Sequence, residues 1–229
     1  MNDRVIGIVL KESDYRENDS LVQVLSKDYG YFSLVLKGSK KINSQNKVFP
    51  LCIYEFIIDY KETKEIFLCM GKTLIKSYYC DDLKLLSFRN IFAEASLKSR
   101  QLDNNLYDDL IFCLDKSTYA SGALFFRYLC FYYGISPYVD GCVICDNKKI
   151  IRLDNEAGGF VCLRHASLKE SQDIERLRKF RLLCKARYDH YQKLIDYDVQ
   201  DFMWIVGFFI QNSGISLNTY KFYNELFMK

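Results

Sequence analysis

The sequence predicts an α+β protein: a small β domain over residues 1–80, then a helical domain over 81–229 with a cysteine-rich insert embedded at about 141–166. Three observations predict it. The first third alternates in short segments rich in Val, Ile, Phe and Tyr. From Asp81 the apolar spacing changes to the helical period. Between two helical stretches lies GCVICDNKKIIRLDNEAGGFVCLRHA, which fits neither pattern.

The β segments are VIGIVLK, SLVQVLSKD, YFSLVLKGS, CIYEFIIDYK and EIFLCMGKTLIKSYY, separated by DYREND, DYGY and the polar stretch GSKKINSQNK. Five strands in so short a length suggest a compact barrel or sandwich of antiparallel type. DDLKLLSFRNIFAEASLKSR then opens on aspartates suited to a helix N-terminus, with Leu83, Leu86, Ile91 and Ala95 near one face. NNLYDDLIFCLDKS repeats the pattern with Leu106, Leu110, Cys113 and Leu114. YASGALFFRYLCFYYG is helical by length and stops at Gly134 with Pro137 beyond. After the insert, SLKESQDIERLRKFRLLCKARYDHYQKL and DVQDFMWIVGFFIQNSG read as two further helices.

The insert carries Cys142 and Cys145, then Cys162 and His165: two pairs, each separated by two residues. Two such knuckles are spaced to close one tetrahedral site. Three thiolates and an imidazole with no open position suit structural zinc. The intervening KKIIRLDNEAGGF can form a hairpin, and backbone amides of a knuckle can hydrogen-bond to the thiolates. A redox Cys-x-x-Cys would not need the second pair. A deaminase-type zinc would need His-x-Glu, which is absent. Packing of the four residues without metal is the remaining alternative.

Composition bounds the function. The chain has 229 residues, 49% hydrophobic and 16% aromatic, enough for a substantial core. The nine cysteines are an odd number and six sit singly among apolar neighbours, which argues for a reducing, cytoplasmic setting over a disulfide framework. No stretch reads as a signal peptide or a membrane span. No phosphate-binding glycine loop, nucleophile elbow or H-E-x-x-H motif is present, so the expectation is a protein that is not an enzyme.

Net charge is only +3, but two runs lack acidic residues altogether. One is the inter-strand stretch with Lys37, Lys40, Lys41 and Lys47. The other is RLRKFRLLCKAR, which puts Arg178, Arg181 and Lys185 on one helical stripe. Either can track phosphates, with Tyr15, Tyr29, Tyr31 and Phe32 as candidate stacking partners. The alternative is a solvated face balanced by acids on neighbouring elements.

The order of these features resembles the RecO recombination mediators of bacterial DNA repair. The resemblance rests on VIGIVLKESDYRENDSLVQVLSKDYGYFSLVLKGSKKINS, on FRYLCFYYGISPYVDGCVICD and on GGFVC, and spans essentially the whole chain. It implies an N-terminal OB-fold barrel and a helical domain with an embedded zinc ribbon. It implies binding to single- and double-stranded DNA without sequence preference, annealing of complementary strands, and assistance in loading the recombinase on single strands covered by single-strand-binding protein. Implied partners are RecR, the C-terminal tail of single-strand-binding protein and, indirectly, the RecA filament. The implied location is the cytoplasm, on the nucleoid.

Residue by residue, Cys142, Cys145 and Cys162 match the family's knuckles, and His165 stands where a fourth cysteine is common. Lys37, Lys40 and Lys41 match basic residues after the third strand. Arg127 is similar to the arginine of a helical groove that receives the acidic, aromatic-ended tail. Asn218 stands where a lysine is frequent. The competing reading is a zinc-containing interaction adaptor without direct DNA binding.

Overall fold

The computed structural model describes residues 2–60, 66–102 and 106–227. Lys61 and Glu65, expected at strand ends, and Asn104 and Asn105, expected at a helix start, lie outside them. The chain forms two compact units, one of residues 1–115 and 217–229, the other of 116–216.

In the first unit β1 (Asn2–Tyr15), β2 (Asp19–Ser26), β3 (Gly30–Leu36), β4 (Cys52–Asp59) and β5 (Ile66–Ser77) close a barrel in the order β1-β2-β3-β5-β4. Among the described residues of the barrel only β3 and β5 pair in parallel; β1 is long enough to pair with both β2 and β4 and so closes the ring. This is an OB-like barrel. Strand alternation decides its interior: Val22 and Val24 on β2, and Phe32, Leu34 and Leu36 on β3, face inward with Val5, Val9, Phe56 and Ile58. Gly7 sits where β1 presses on β2. A Cβ there would lie 2.4 Å from Val24 Cγ1, so no other residue fits without movement.

The strand-to-helix change falls between Ser77 and Leu83. Helix α1 (Leu83–Lys98) is capped by Asp82, whose carboxylate accepts from Leu85 N at 3.0 Å. It belongs to the barrel unit together with α2 (Leu106–Lys116) and α6 (Asn218–Phe227). No local cap announces α6. Its first amides, Asn218 N and Thr219 N, donate to Glu94 on α1 at 3.1 and 2.8 Å. Burial raises the Glu94 carboxyl, but bonds from Lys98 and Thr219 outweigh it and hold the group below the usual carboxylate range.

The second unit contains α3 (Tyr119–Tyr132), the hairpin β6 (Ile150–Asp154) and β7 (Gly159–Cys162), α4 (Ile174–Lys185) and α5 (Val199–Ser213). Helices α3 and α5 pack through Phe126 against Phe202 and Phe209, with ring centroids 5.9 and 5.4 Å apart. The long helix expected after the insert is divided. It ends at Lys185, Ala186 turns extended, and Tyr188–Leu194 is a 3-10 turn. Tyr188 there stacks on Tyr128 of α3 at 4.5 Å, a contact within the unit that outweighs continued helix.

Candidate metal centre and basic surfaces

The two knuckles meet at the foot of the β6–β7 hairpin. The first turns back at Asp146, whose N–H donates to Cys142 O at 2.7 Å; in the second, His165 N and Ala166 N both donate to Cys162 O. Gly141 and Gly159 permit this closeness: a Cβ on Gly159 would stand 2.3 Å from Tyr138 O.

The ligand atoms of Cys142, Cys145, Cys162 and His165 all lie within 4.8 Å of one another. His165 Nδ1 is 3.5 Å from both Cys142 Sγ and Cys162 Sγ, and Cys145 Sγ is 3.8 Å from Cys162 Sγ. A tetrahedron built with zinc–sulfur bonds of about 2.3 Å and zinc–nitrogen bonds of about 2.05 Å has edges of about 3.8 and 3.5 Å. The spacing is far too long for a disulfide, which needs about 2.05 Å. Cys142 is buried, which raises its thiol. Bonds from the backbone of Cys162, Ile144 and Cys145 and from His165 reverse this and bring it down to about 6. The geometry of the cluster can hold a metal ion.

The insert is tied to helices of its own unit. Phe160 meets Phe180 of α4 at 6.1 Å, Asn212 of α5 donates to Asn155 O at 3.2 Å, and Gln172 Oε1 accepts from Leu153 N at 2.7 Å. Asp140, just before the first knuckle, accepts from Arg181 at 3.0 Å and from Lys185. Those two cations hold the Asp140 carboxyl below its ordinary value.

The two basic runs therefore differ. On α4, Arg178 pairs with Glu175, Arg181 and Lys185 share Asp140, and Arg176 and Lys179 converge on Asp201 at 3.0 and 3.1 Å. Asp201 is 4% exposed and was not signalled by any motif. On the barrel, Lys37, Lys41 and Lys47 are exposed and have no acidic partner among the described residues, while Lys40 pairs with Asp14. The β3–β4 connection that carries them is pinned. Gly38 N donates to Asp19 at 2.8 Å, Lys40 N to Asn18 O at 3.1 Å, and the buried hydroxyls of Ser20 and Ser39 lie 2.7 Å apart. These bonds bring the β1–β2 turn alongside and add exposed Arg16, which the acidic look of DYREND concealed, together with exposed Glu17.

The aromatics expected to stack are mostly engaged. Phe32 is buried, Tyr31 Oη donates to Ser96 O at 2.7 Å, and Tyr29 packs edge-on against Phe32 and Tyr60. Arg127 is half-buried. Its Nε donates to Cys184 O at 3.2 Å at the end of α4, and its guanidinium lies over Tyr128.

Residues 1–78 match the family described as recombination protein O, N terminal. The chain is also similar to DNA repair protein RecO of Clostridium perfringens, 30% identical over 62% of each chain. It is similar as well to RecO of Caldicellulosiruptor bescii, at 27% over 74% of this chain and 73% of that one, and of Caldanaerobacter subterraneus, at 24% over 82% of each. The chain is thus similar to RecO proteins, over its first third in the family match and over 62–82% of its length in these relatives. The segment matched by the family is the barrel with its lysine loop as far as Tyr78, and the relatives' matches are longer. No helix among the described residues is long and apolar enough to cross a membrane.

Proposed function

We propose that this chain is a RecO-type DNA-repair and recombination mediator that binds single- and double-stranded DNA through phosphates, without sequence preference and without catalysing a reaction. The observation that carries the reading is the pinned barrel loop on which Lys37, Lys41 and Lys47 have no acidic partner among the described residues. Such fixed cations track a backbone and release its counterions, giving salt-dependent, sequence-tolerant affinity. Lys40 contributes in exchange for Asp14. Arg181 and Lys185 chiefly hold Asp140, at the start of the insert, against α4, and Arg178 is matched to Glu175 along the same helix.

The metal in this proposal is zinc, held by Cys142, Cys145, Cys162 and His165. When bound it supplies a crosslink between the knuckles. Four protein donors complete its tetrahedral set, which supports a structural role and gives substrate no coordination position. Annealing of strands, help in loading the recombinase, and work with RecR are part of the proposal, supported by the likeness to RecO proteins. Arg127 is proposed to receive the acidic tail of single-strand-binding protein. Its Nε is committed to Cys184 O, while its terminal nitrogens, beside the exposed ring of Phe131, have no partner among the described residues and suit a terminal carboxylate.

An equilibrium titration with single-stranded DNA, with and without a peptide of that acidic tail, tests both parts. The reading predicts binding that weakens steeply from about 50 to 200 mM salt, and a peptide effect lost in Arg127→Ala. Salt-insensitive binding, or none, would leave the interaction adaptor as the better account.

A further inference from the structure

The barrel loop holds one feature that phosphate contacts do not use. Phe49 is 57% exposed, whereas its neighbour Val48 is fully buried in the barrel core. The chain at this point drives one apolar side chain inward and the next into solvent. Phe49 has no ring partner among the described residues, in contrast to Tyr29, Phe32, Tyr60 and Phe67, which pack on one another. Its position is nevertheless fixed. Phe49 N donates to Tyr54 Oη at 3.2 Å, Tyr54 is itself buried, and two residues later Leu51 N donates to Val9 O at 2.8 Å. Asn46 Nδ2 donates to Lys37 O at 2.9 Å and ties the two ends of the loop together.

We propose that Phe49 is a base-stacking residue that gives the lysine loop a preference for single strands. The inference rests on the reading of that loop as a phosphate-binding surface. Lys37, Lys41 and Lys47 attract a polyanion but meet the same phosphates in a duplex as in a single strand. An exposed aromatic face on a pinned backbone adds what they lack, since only an unpaired strand offers free base faces to stack on it. The charge of the surrounding loop makes nucleic acid the occupant favoured over an apolar protein surface, and the sequence tolerance of stacking agrees with binding that does not depend on base identity.

The test compares the full-length wild type with Phe49→Ala and Phe49→Trp, using an oligo-dT strand and a mixed-sequence duplex of equal length. Phe49→Ala is expected to weaken single-strand binding by about tenfold and duplex binding by less than about twofold, with the salt slope unchanged. Phe49→Trp is expected to keep single-strand affinity and to gain a fluorescence signal, beyond that of Trp204, that oligo-dT quenches. Equal weakening on strand and duplex, no weakening on either, or an unquenched new tryptophan would overturn the stacking role while leaving the lysine loop standing. Wild-type binding that is absent or insensitive to salt would overturn the loop reading, and the stacking role with it.

Discussion

Replacing Lys37, Lys41 and Lys47 together by Gln removes the three barrel-loop cations that have no acidic partner among the described residues. On a single strand each phosphate contact contributes about 0.7 to the slope of log affinity against log salt, so the triple variant should lose about 2 slope units. Over a fourfold rise in salt that is about a 20-fold difference in how much affinity is lost. The side chains are exposed and the loop is pinned by backbone and serine bonds, so stability should change by no more than about 0.5 kcal/mol. The matched triple on α4, Arg178→Gln with Arg181→Gln and Lys185→Gln, removes cations already matched to Glu175 and Asp140. It should shift the slope by less than about half a unit. Fluorescence anisotropy of labelled oligo-dT at several salt concentrations reads both variants. A loop variant with the wild-type slope, or an α4 variant that flattens it more, would refute the reasoning.

Three further outcomes follow from the packing. The purified protein should contain one metal ion per chain, and Cys162→Ser should release it and raise amide exchange over residues 150–162; metal-free protein with unchanged exchange would contradict the crosslink. Glu94→Gln should cost about 1 kcal/mol at pH 7 by weakening the cap of α6. Because the folded carboxyl lies below its ordinary value of 4.5, that contribution is complete above the ordinary value and fades as pH falls through the folded one, so variant and wild type should converge in acid unfolding curves. Gly7→Ala should cost about 1–3 kcal/mol in thermal unfolding, because Val24 must move to admit a Cβ 2.4 Å away.

Much of this was legible locally. Period-two alternation gave the five strands, and the lysine loop between the third and fourth was placed by its polar residues alone. The cluster of Cys142, Cys145, Cys162 and His165 was legible from spacing because a knuckle is a local turn, and the structure brings all four to one point, where they could hold a metal ion. What the sequence hid depends on distant partners. The cap of α6 is Glu94, 124 residues earlier, so the helix carries no signal of its own beginning. Asp140 lies 41 residues from Arg181, so a stripe that looks free in the sequence is matched in the fold. Tyr188 stacking on Tyr128 breaks a helix whose own residues would continue it. Phe49 looked like one apolar residue among many, and only its exposure beside buried Val48 sets it apart.

The central claim, that DNA meets the barrel loop and not the α4 face, is tested most directly by lysine-acetylation footprinting with and without oligo-dT, read by mass spectrometry. The account predicts protection of Lys37, Lys41 and Lys47, with Lys179 and Lys185 unchanged. Protection confined to Lys179 and Lys185 would contradict it.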